Sequence, residues 1–533
     1  MRGRNGTSDV VLTAGNIGWG SEGLGHLELI INSGNLLIDD DVLSALPEGA
    51  EEVVRSFQLE GRVDAQVEIF TRHGLTGPAA NDPVEVRTTV NVLPGLHFCY
   101  EPLPYSMVFS SGRAIHTLST GDIQFHQLQT DSEVGPRLVV EGVYGTDHED
   151  PRRQVLDLEM VEIRAWKGGP GLAIDDKLLD AMPPHLRQFF EGIGLSGFWS
   201  GKFHVKYHHI PGKTGAERQE QVRYFGELTG HNLSVDFGVT FDEIDARLQF
   251  GGSAMPGKPH NFQGTANINQ LRFSRFRVHS TEVKFCYGLV HPAIQDTLAG
   301  KFTPPEGGKF QISPLLLGRL GHGNINETLQ VYVRQGNMYR GNVEGFLYFD
   351  SGKQNDFHVD LRADRVDLAK GGKDIFRDES AEGRANGWVR FEGFGGDPGS
   401  IVGEGVMKVR KGKLQELPLF VATLGKLLSF DVRVTEGRHI EKITANFKIR
   451  DEAFHIDNYN DLEIVSPALK VLGKGRLDFN TTLDMFLSPQ LFGIFVPLKV
   501  IVSPLLTIHV TGPLDNPQQR ILLLGYVLGG RDE

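Results

Sequence analysis

Cysteine is scarce in this chain, and several sequence patterns of common enzymes and metal sites are missing. Cysteine occurs twice in 533 residues, at Cys99 and Cys286, too few and too far apart for a disulfide framework or a thiolate metal site. No C-x-x-C, H-E-x-x-H or G-x-S-x-G occurs, so the signatures of dithiol redox chemistry, zincins and nucleophile elbows are missing. Nor is there a run of 18 uninterrupted apolar residues that would read as a spanning helix, and Met1 to Asp9 lacks the apolar core of a signal peptide. Basic residues (54) are outnumbered by acidic ones (67), the net charge is −13, and both signs are interspersed. Without a concentrated basic face, nucleic acid is excluded as a partner.

Glycine is abundant, at 65 residues, against an apolar fraction of 40%, a balance that favours many short strands and turns over long helices. Alternating runs such as Gln330–Arg334, Gly345–Asp350 and His358–Ala363, punctuated by Gly, Asn, Asp and Pro, read as strands with one apolar side. Helical periodicity is clearest over 417–430, where Leu417, Phe420, Val421, Leu424, Leu427 and Leu428 share a face.

An internal repeat emerges at an offset of 136 residues. Ile38-Asp39-Asp40 falls on Ile174-Asp175-Asp176, Leu43 on Leu179, Ala45 on Ala181, Pro47 on Pro183, Leu59 on Leu195 and Gly61 on Gly197. Apolar positions between them coincide, Phe57 with Ile193 and Val63 with Trp199 among them. Each copy reads as a short amphipathic helix, near 41–57 and 177–193, followed by strands. The aspartates are read as helix N-caps or first-turn charges. A third copy of the strand start is expected at Gly323, Ile325, Leu329 and Val331. The repeat divides the chain into 1–155, 156–310, a strand-rich 311–400 and a last segment, 401–533. A helix-plus-strands unit buries its apolar face only by stacking on its neighbours, which predicts a repetitive, elongated β architecture.

Catalytic patterns are weak. Gly192-Ile-Gly-Leu-Ser-Gly197 matches G-x-G-x-x-G, but a helix precedes it and a strand follows, the reverse of a dinucleotide-binding turn. It reads as a helix stop and strand start. Pro211-Gly-Lys-Thr-Gly215 lacks the leading glycine of a phosphate cradle, because position 207 is Tyr207. His204, His208 and His209 form the one dense histidine group, and without a third ligand nearby they are read as solvent-facing. The most apolar stretch, 485–506, contains Phe492, Ile494, Phe495, Val496 and Leu498, broken by Pro489, Pro497, Lys499 and Pro504. It is either buried strand and loop closing the core or an apolar lip that contacts a membrane.

The last segment runs through Gly403-Glu-Gly-Val-Met-Lys-Val-Arg-Lys-Gly-Lys-Leu414, Pro418 to Leu428, Ile443 to Asp451, Ile464-Val-Ser-Pro467, Leu472-Gly-Lys-Gly-Arg-Leu-Asp-Phe479 and Val510-Thr-Gly-Pro-Leu-Asp-Asn-Pro517. In their order these motifs resemble the C-terminal module of the AsmA/TamB envelope proteins, which are similar to the bridge-like, chorein-type lipid transfer proteins. The resemblance implies a mainly β fold, an elongated and strongly curved repetitive sheet forming an apolar groove with a few short helices. It implies no catalysis and no cofactor, phospholipid acyl chains, a membrane surface and envelope proteins as partners, and a periplasmic location tethered by an N-terminal anchor missing from this chain. Ile443, Ala445, Phe447, Ile449, Phe454, Ile456, Leu477 and Phe479 are the alternating positions expected to line the groove. Structural or assembly work in outer-membrane biogenesis, with a self-filled core, is the alternative.

Overall fold

The computed structural model describes residues 2–5, 8–20, 23–44, 51, 54–55, 57–71, 84–100, 103–130, 137–165, 169–182, 187, 190–210, 213, 217, 219–236, 240–255, 260–273, 276–288, 328–350, 356–376, 382–394, 397–413, 439–466, 469–491, 506–513, 517–523 and 526–527. The chain is mainly β, its strands hydrogen-bonded antiparallel in one sheet with few, short helices. Among the described residues no helix is long and apolar enough to cross a membrane. Two compact units are distinguished. The first comprises Met1–Glu191, Leu195–Leu233 and Arg247–Gly264; the second comprises Gly192–Gly194, Ser234–Ala246 and Thr265–Glu533.

In the first unit, the strands Ser8–Gly20, Gly23–Leu37, Arg62–Thr71 and Val84–Val92 pair in sequence order. The order continues through Leu103–Thr117, Asp122–Thr130, Arg137–Thr146, Gln154–Arg164 and Ser196–His209. In the second, the same up-and-down pairing runs from Phe276–Tyr287 through Thr328–Met338, Gly341–Asp350, Asp356–Asp367, Glu382–Phe394, Asp397–Lys413 and His439–Arg450. It ends on Leu469–Asp478, Thr482–Leu491, Leu506–Pro513 and Gln518–Leu523. Strands adjacent in sequence pair with one another, the usual preference, and here this holds even across long connections such as the one between Tyr287 and Thr328.

The 136-residue repeat recurs in the structure at the helix caps, in strand register and at the turn glycines. The helix Asp40–Ser44 corresponds to Asp176–Asp180. Each is capped by the aspartate before it, Val42 N donating to Asp39 Oδ1 and Leu178 N to Asp175 Oδ1, both at 3.0 Å. Leu36 pairs with Val63 as Leu172 pairs with Trp199. Gly61 (φ 143°) and Gly197 (φ 119°) both occupy a backbone region closed to other residues, and a Cβ on either would press on the Cα of Leu96 or Leu233. The dinucleotide-like motif ends a helix, with Leu195 N donating to Phe190 O and Gly194 at φ 54°.

Only part of the expected third copy is described: Gly323 and Ile325 lie outside the described residues, and Leu329 and Val331 lie on Thr328–Met338. A third helical insert instead follows Asp356–Asp367, as the helix Leu368–Phe376, and returns through Gly383 (φ 125°) into Glu382–Phe394. It shares a detail with the first insert. A β-bulge before each helix leaves one N–H out of the ladder, which is taken up by a side chain on the returning strand: Asn35 N to Asp64 Oδ1 and Arg365 N to Asn386 Oδ1, both 2.7 Å. The spacing from Asp367 to Gly383 is shorter than from Asp39 to Gly61, which hides this insert from a fixed-offset comparison.

Candidate functional site: the apolar sheet face

Cross-strand register decides which side chains share a face, since neighbours directly opposite each other point the same way. In the second unit one register row reads Phe285, Val331, Leu347, Val359, Phe391, Gly403, Ile449, Phe454, Leu477, Leu483, Gly512 across eleven successive strands. No polar side chain interrupts it. At about 4.8 Å per strand the row extends for roughly 48 Å. The adjacent row, on the opposite face, reads Lys284, Tyr332, Phe346, Asp360, Arg390, Glu404, Lys448, His455, Arg476, Asp484, Thr511. One face of this sheet is apolar and the other is laced with charge.

All eight groove candidates fall on the apolar face. Ile443, Ala445, Phe447 and Ile449 alternate along one strand with no bulge and face Val409, Met407, Gly405 and Gly403. Ile449 faces Phe454, and Phe454 faces Leu477. Ile456, one pleat from Phe454, packs against the core with them. Phe479 joins the same side through its ring, 5.5 Å from that of Phe454, which in turn lies 5.4 Å from Phe447.

The eight differ in accessibility. Ile443 and Ala445 are buried in a cluster with Leu368, Val409, Leu462, Val471, Met485, Ile508 and Val510. Phe447, Phe454 and Leu477 are half-buried. Ile449 is buried and Ile456 half-buried; Phe479 is open at 37% exposure, as is Met407 opposite Ala445 at 41%. The apolar face is therefore covered around Leu368, from the third insert, and accessible at Met407 and Phe479. Gly403 and Gly405 keep the face flat there: a Cβ on Gly403 would meet the Arg390 carbonyl oxygen and the Phe391 Cβ, and one on Gly405 would meet the Phe447 ring.

The membrane-contact candidates Phe492, Ile494, Phe495, Val496 and Leu498 lie outside the described residues, as does the helix expected over 417–430.

The first unit has a comparable but less pure face. Its row reads Leu12, Ile31, Val67, Thr88, His116, Ile123, Tyr144, Leu156, Tyr207. Burial pushes the His116 imidazole below its ordinary pKa, against the pull of Asp122 and Glu85, so its neutral form is favoured. Phe57, from the first insert, lies on this face against Phe98, Phe125 and Tyr144.

The opposite, polar face is built from cross-strand ion pairs. Glu463 receives Lys442 and Lys470 at 2.7 and 2.6 Å, Asp457 receives Arg450 and Lys448 at 2.7 and 3.1 Å, and His509 meets Asp484 at 2.7 Å while stacking on Phe486. Asp360 is buried and bonded by Arg390 at 3.0 Å; burial raises its pKa, and Arg390 opposes the rise.

The histidine group is corrected here. His204 and His208 are not simply solvent-facing: His204 lies 2.6 Å from Asp157 and His208 2.9 Å from Asp147, carboxylates supplied by neighbouring segments of the sheet, and His209 is buried against Tyr207. Among the described residues no group of three His, Cys, Asp or Glu is placed to hold a metal. Burial raises the Cys286 thiol to about 12, so it stays protonated at neutral pH.

Sequence alternation grouped the residues of the last module that share one face, but not the continuation of that face through Phe285, Val331, Val359 and Phe391. Each of these strands alternates too, and only the pairing register shows that their apolar sides coincide. No protein-family model, curated protein or solved structure matches the chain.

Proposed function

We propose that this protein is a non-enzymatic lipid-binding and transfer protein of the bacterial cell envelope. The observation that supports it is the eleven-residue apolar row with a charged row directly behind it. Acyl chains gain about 0.8 kcal/mol per CH₂ removed from water, on the order of 20 kcal/mol for a two-chain lipid. A lipid moving between membranes therefore needs a floor without polar interruptions, along which it exchanges one apolar contact for an equivalent one. Headgroups stay hydrated at the strand ends.

In this reading Phe447, Phe454, Phe479 and Met407, the accessible part of the floor, receive acyl chains. The buried cluster around Ile443 and Val471 anchors the same face beside them. In line with the AsmA/TamB resemblance of its motifs, the proposed transfer runs in the periplasm between inner and outer membranes, with the membrane surface and envelope proteins as partners.

A second reading is favoured by a specific observation. The members of the Ile443 cluster are 2–9% exposed and Phe57 is packed among its own aromatic neighbours, as in a structural or assembly factor whose core is filled by its own side chains. Native mass spectrometry of the purified chain separates the two. Transfer predicts co-purifying phospholipid released on collisional activation, and a filled core predicts the bare protein mass.

A further inference from the structure

The aromatic packing around Phe57 points to a device that the lipid reading alone does not contain. Phe57 belongs to no strand of the sheet. It comes from the insert between the strands Gly23–Leu37 and Arg62–Thr71, yet its ring lies 5.3 Å from Phe98, 6.1 Å from Phe125 and 6.2 Å from Tyr144, and it clusters with Leu156 and Tyr207 farther across the face. Only 6% of it is exposed. A side chain outside the sheet thus occupies apolar surface that several strands contribute.

The backbone holds it there. Cys99 N donates to Phe57 O at 3.1 Å, and Glu60 and His97 exchange bonds of 3.1 and 2.8 Å. Gln58 adopts the left-handed region at φ 42°, a conformation that glutamine rarely takes, and this turns the chain immediately after Phe57. The repeat places Ile193 at the equivalent position. It too is 6% exposed, Asp236 N donates to its carbonyl at 2.7 Å, and Gly194 takes the left-handed turn at φ 54°. The placement therefore recurs, with a ring in one copy and a smaller aliphatic group in the other.

We propose that Phe57 is a built-in occupant of the apolar face of the first unit, standing where an acyl segment would lie and limiting how many lipid chains that face accepts. The inference rests on the lipid-binding reading. What separates an occupant from ordinary core is the size of the ligand that replaces it: truncating a core side chain leaves a closed apolar cavity that admits only a small ligand, whereas a vacated acyl site admits a whole lipid chain.

The test is native mass spectrometry of the full chain after incubation with vesicles of palmitoyl-oleoyl phosphatidylethanolamine and phosphatidylglycerol. Wild type is compared with Phe57→Ala, with Phe57→Val in case the larger truncation does not fold, and with Phe225→Ala, an exposed aromatic whose ring lies tilted 4.8 Å from that of His204 on the other face. Circular dichroism confirms that each variant is folded. The expected result is at least one additional phospholipid per molecule in the Phe57 variants and an unchanged count in Phe225→Ala.

If wild type carries lipid and the folded Phe57 variants carry the same number, the occupant role is overturned and lipid binding stands. If wild type carries none and the variants carry one, the occupant role stands and native lipid binding fails. If neither carries lipid, both fail.

Discussion

Placing a carboxylate at successive positions of the strand His439–Arg450 must give an effect of period two if register has been read correctly. Ala445 is 5% exposed and faces Met407 on one neighbouring strand and Leu462 on the other. In Ala445→Asp the new carboxylate has no cationic partner on that face, and an unpaired buried charge costs about 3–5 kcal/mol. Asn446, one residue on, is exposed on the charged face, where Asn446→Asp stays within about 0.5 kcal/mol. Amide hydrogen exchange of the peptide spanning 439–450 reports the local opening energy directly. A loss of about 3 kcal/mol speeds exchange by roughly 100-fold, since each 1.4 kcal/mol is tenfold. Ala445→Asp and Ile449→Asp should show that acceleration and Asn446→Asp none. Equal protection in Ala445→Asp and Asn446→Asp would refute the assignment of faces, and with it the apolar row.

Other outcomes follow from single interactions. Gly61→Ala and Gly197→Ala should each destabilise by about 1–2 kcal/mol, because alanine cannot hold the positive φ and its methyl meets the neighbouring backbone, whereas Gly34→Ala, whose nearest contact is Asp64 Oδ1 at 3.8 Å, should not; thermal melts of the three variants check this. Asp39→Ala and Asp175→Ala each remove an N-cap bond and should cost about 1 kcal/mol in urea denaturation. Arg450 and then Lys448 hold the Asp457 carboxyl below its ordinary value of 3.8, at about 2. The native state therefore binds this proton less readily than the unfolded chain, so its stabilisation is present above pH 4 and is lost as pH falls from about 4 toward 2. Asp457→Asn should flatten the acid limb of the stability profile in that window, and an unchanged limb would remove Asp457 from the account.

What was legible in the sequence is what local chemistry determines. The aspartate caps, the helix stop at Gly192–Gly197 and the alternation from Ile443 to Ile449 need only the residue and its near neighbours, so each appears at its expected position. Facts that depend on pairing were not legible. Ile449, Phe454 and Leu477 meet through register, and Asp157 reaches His204 from across a strand pair, so no spacing rule signals it. Bulges also move the alternation: in Asp356–Asp367 the ladder passes from Ala363 to Val366, and in Gly23–Leu37 from Ser33 to Leu36. Simple period-two counting puts the end of each strand on the wrong face. Phe57 was visible as one apolar residue of a short helix, but its contact with Tyr144 spans most of a repeat. The third insert escaped because its spacing is shorter than that of the first two.

The central claim is that acyl chains lie on the Phe447 side of the second unit's sheet and not on the side of Asn446. Photocrosslinking tests it most directly, with p-benzoylphenylalanine introduced singly at Phe447, at Phe479 and at Asn446, in the presence of radiolabelled phospholipid vesicles. The prediction is lipid adducts from positions 447 and 479 and none from 446. Adducts from 446 equal to those from 447, or no adduct at any of the three, would contradict it.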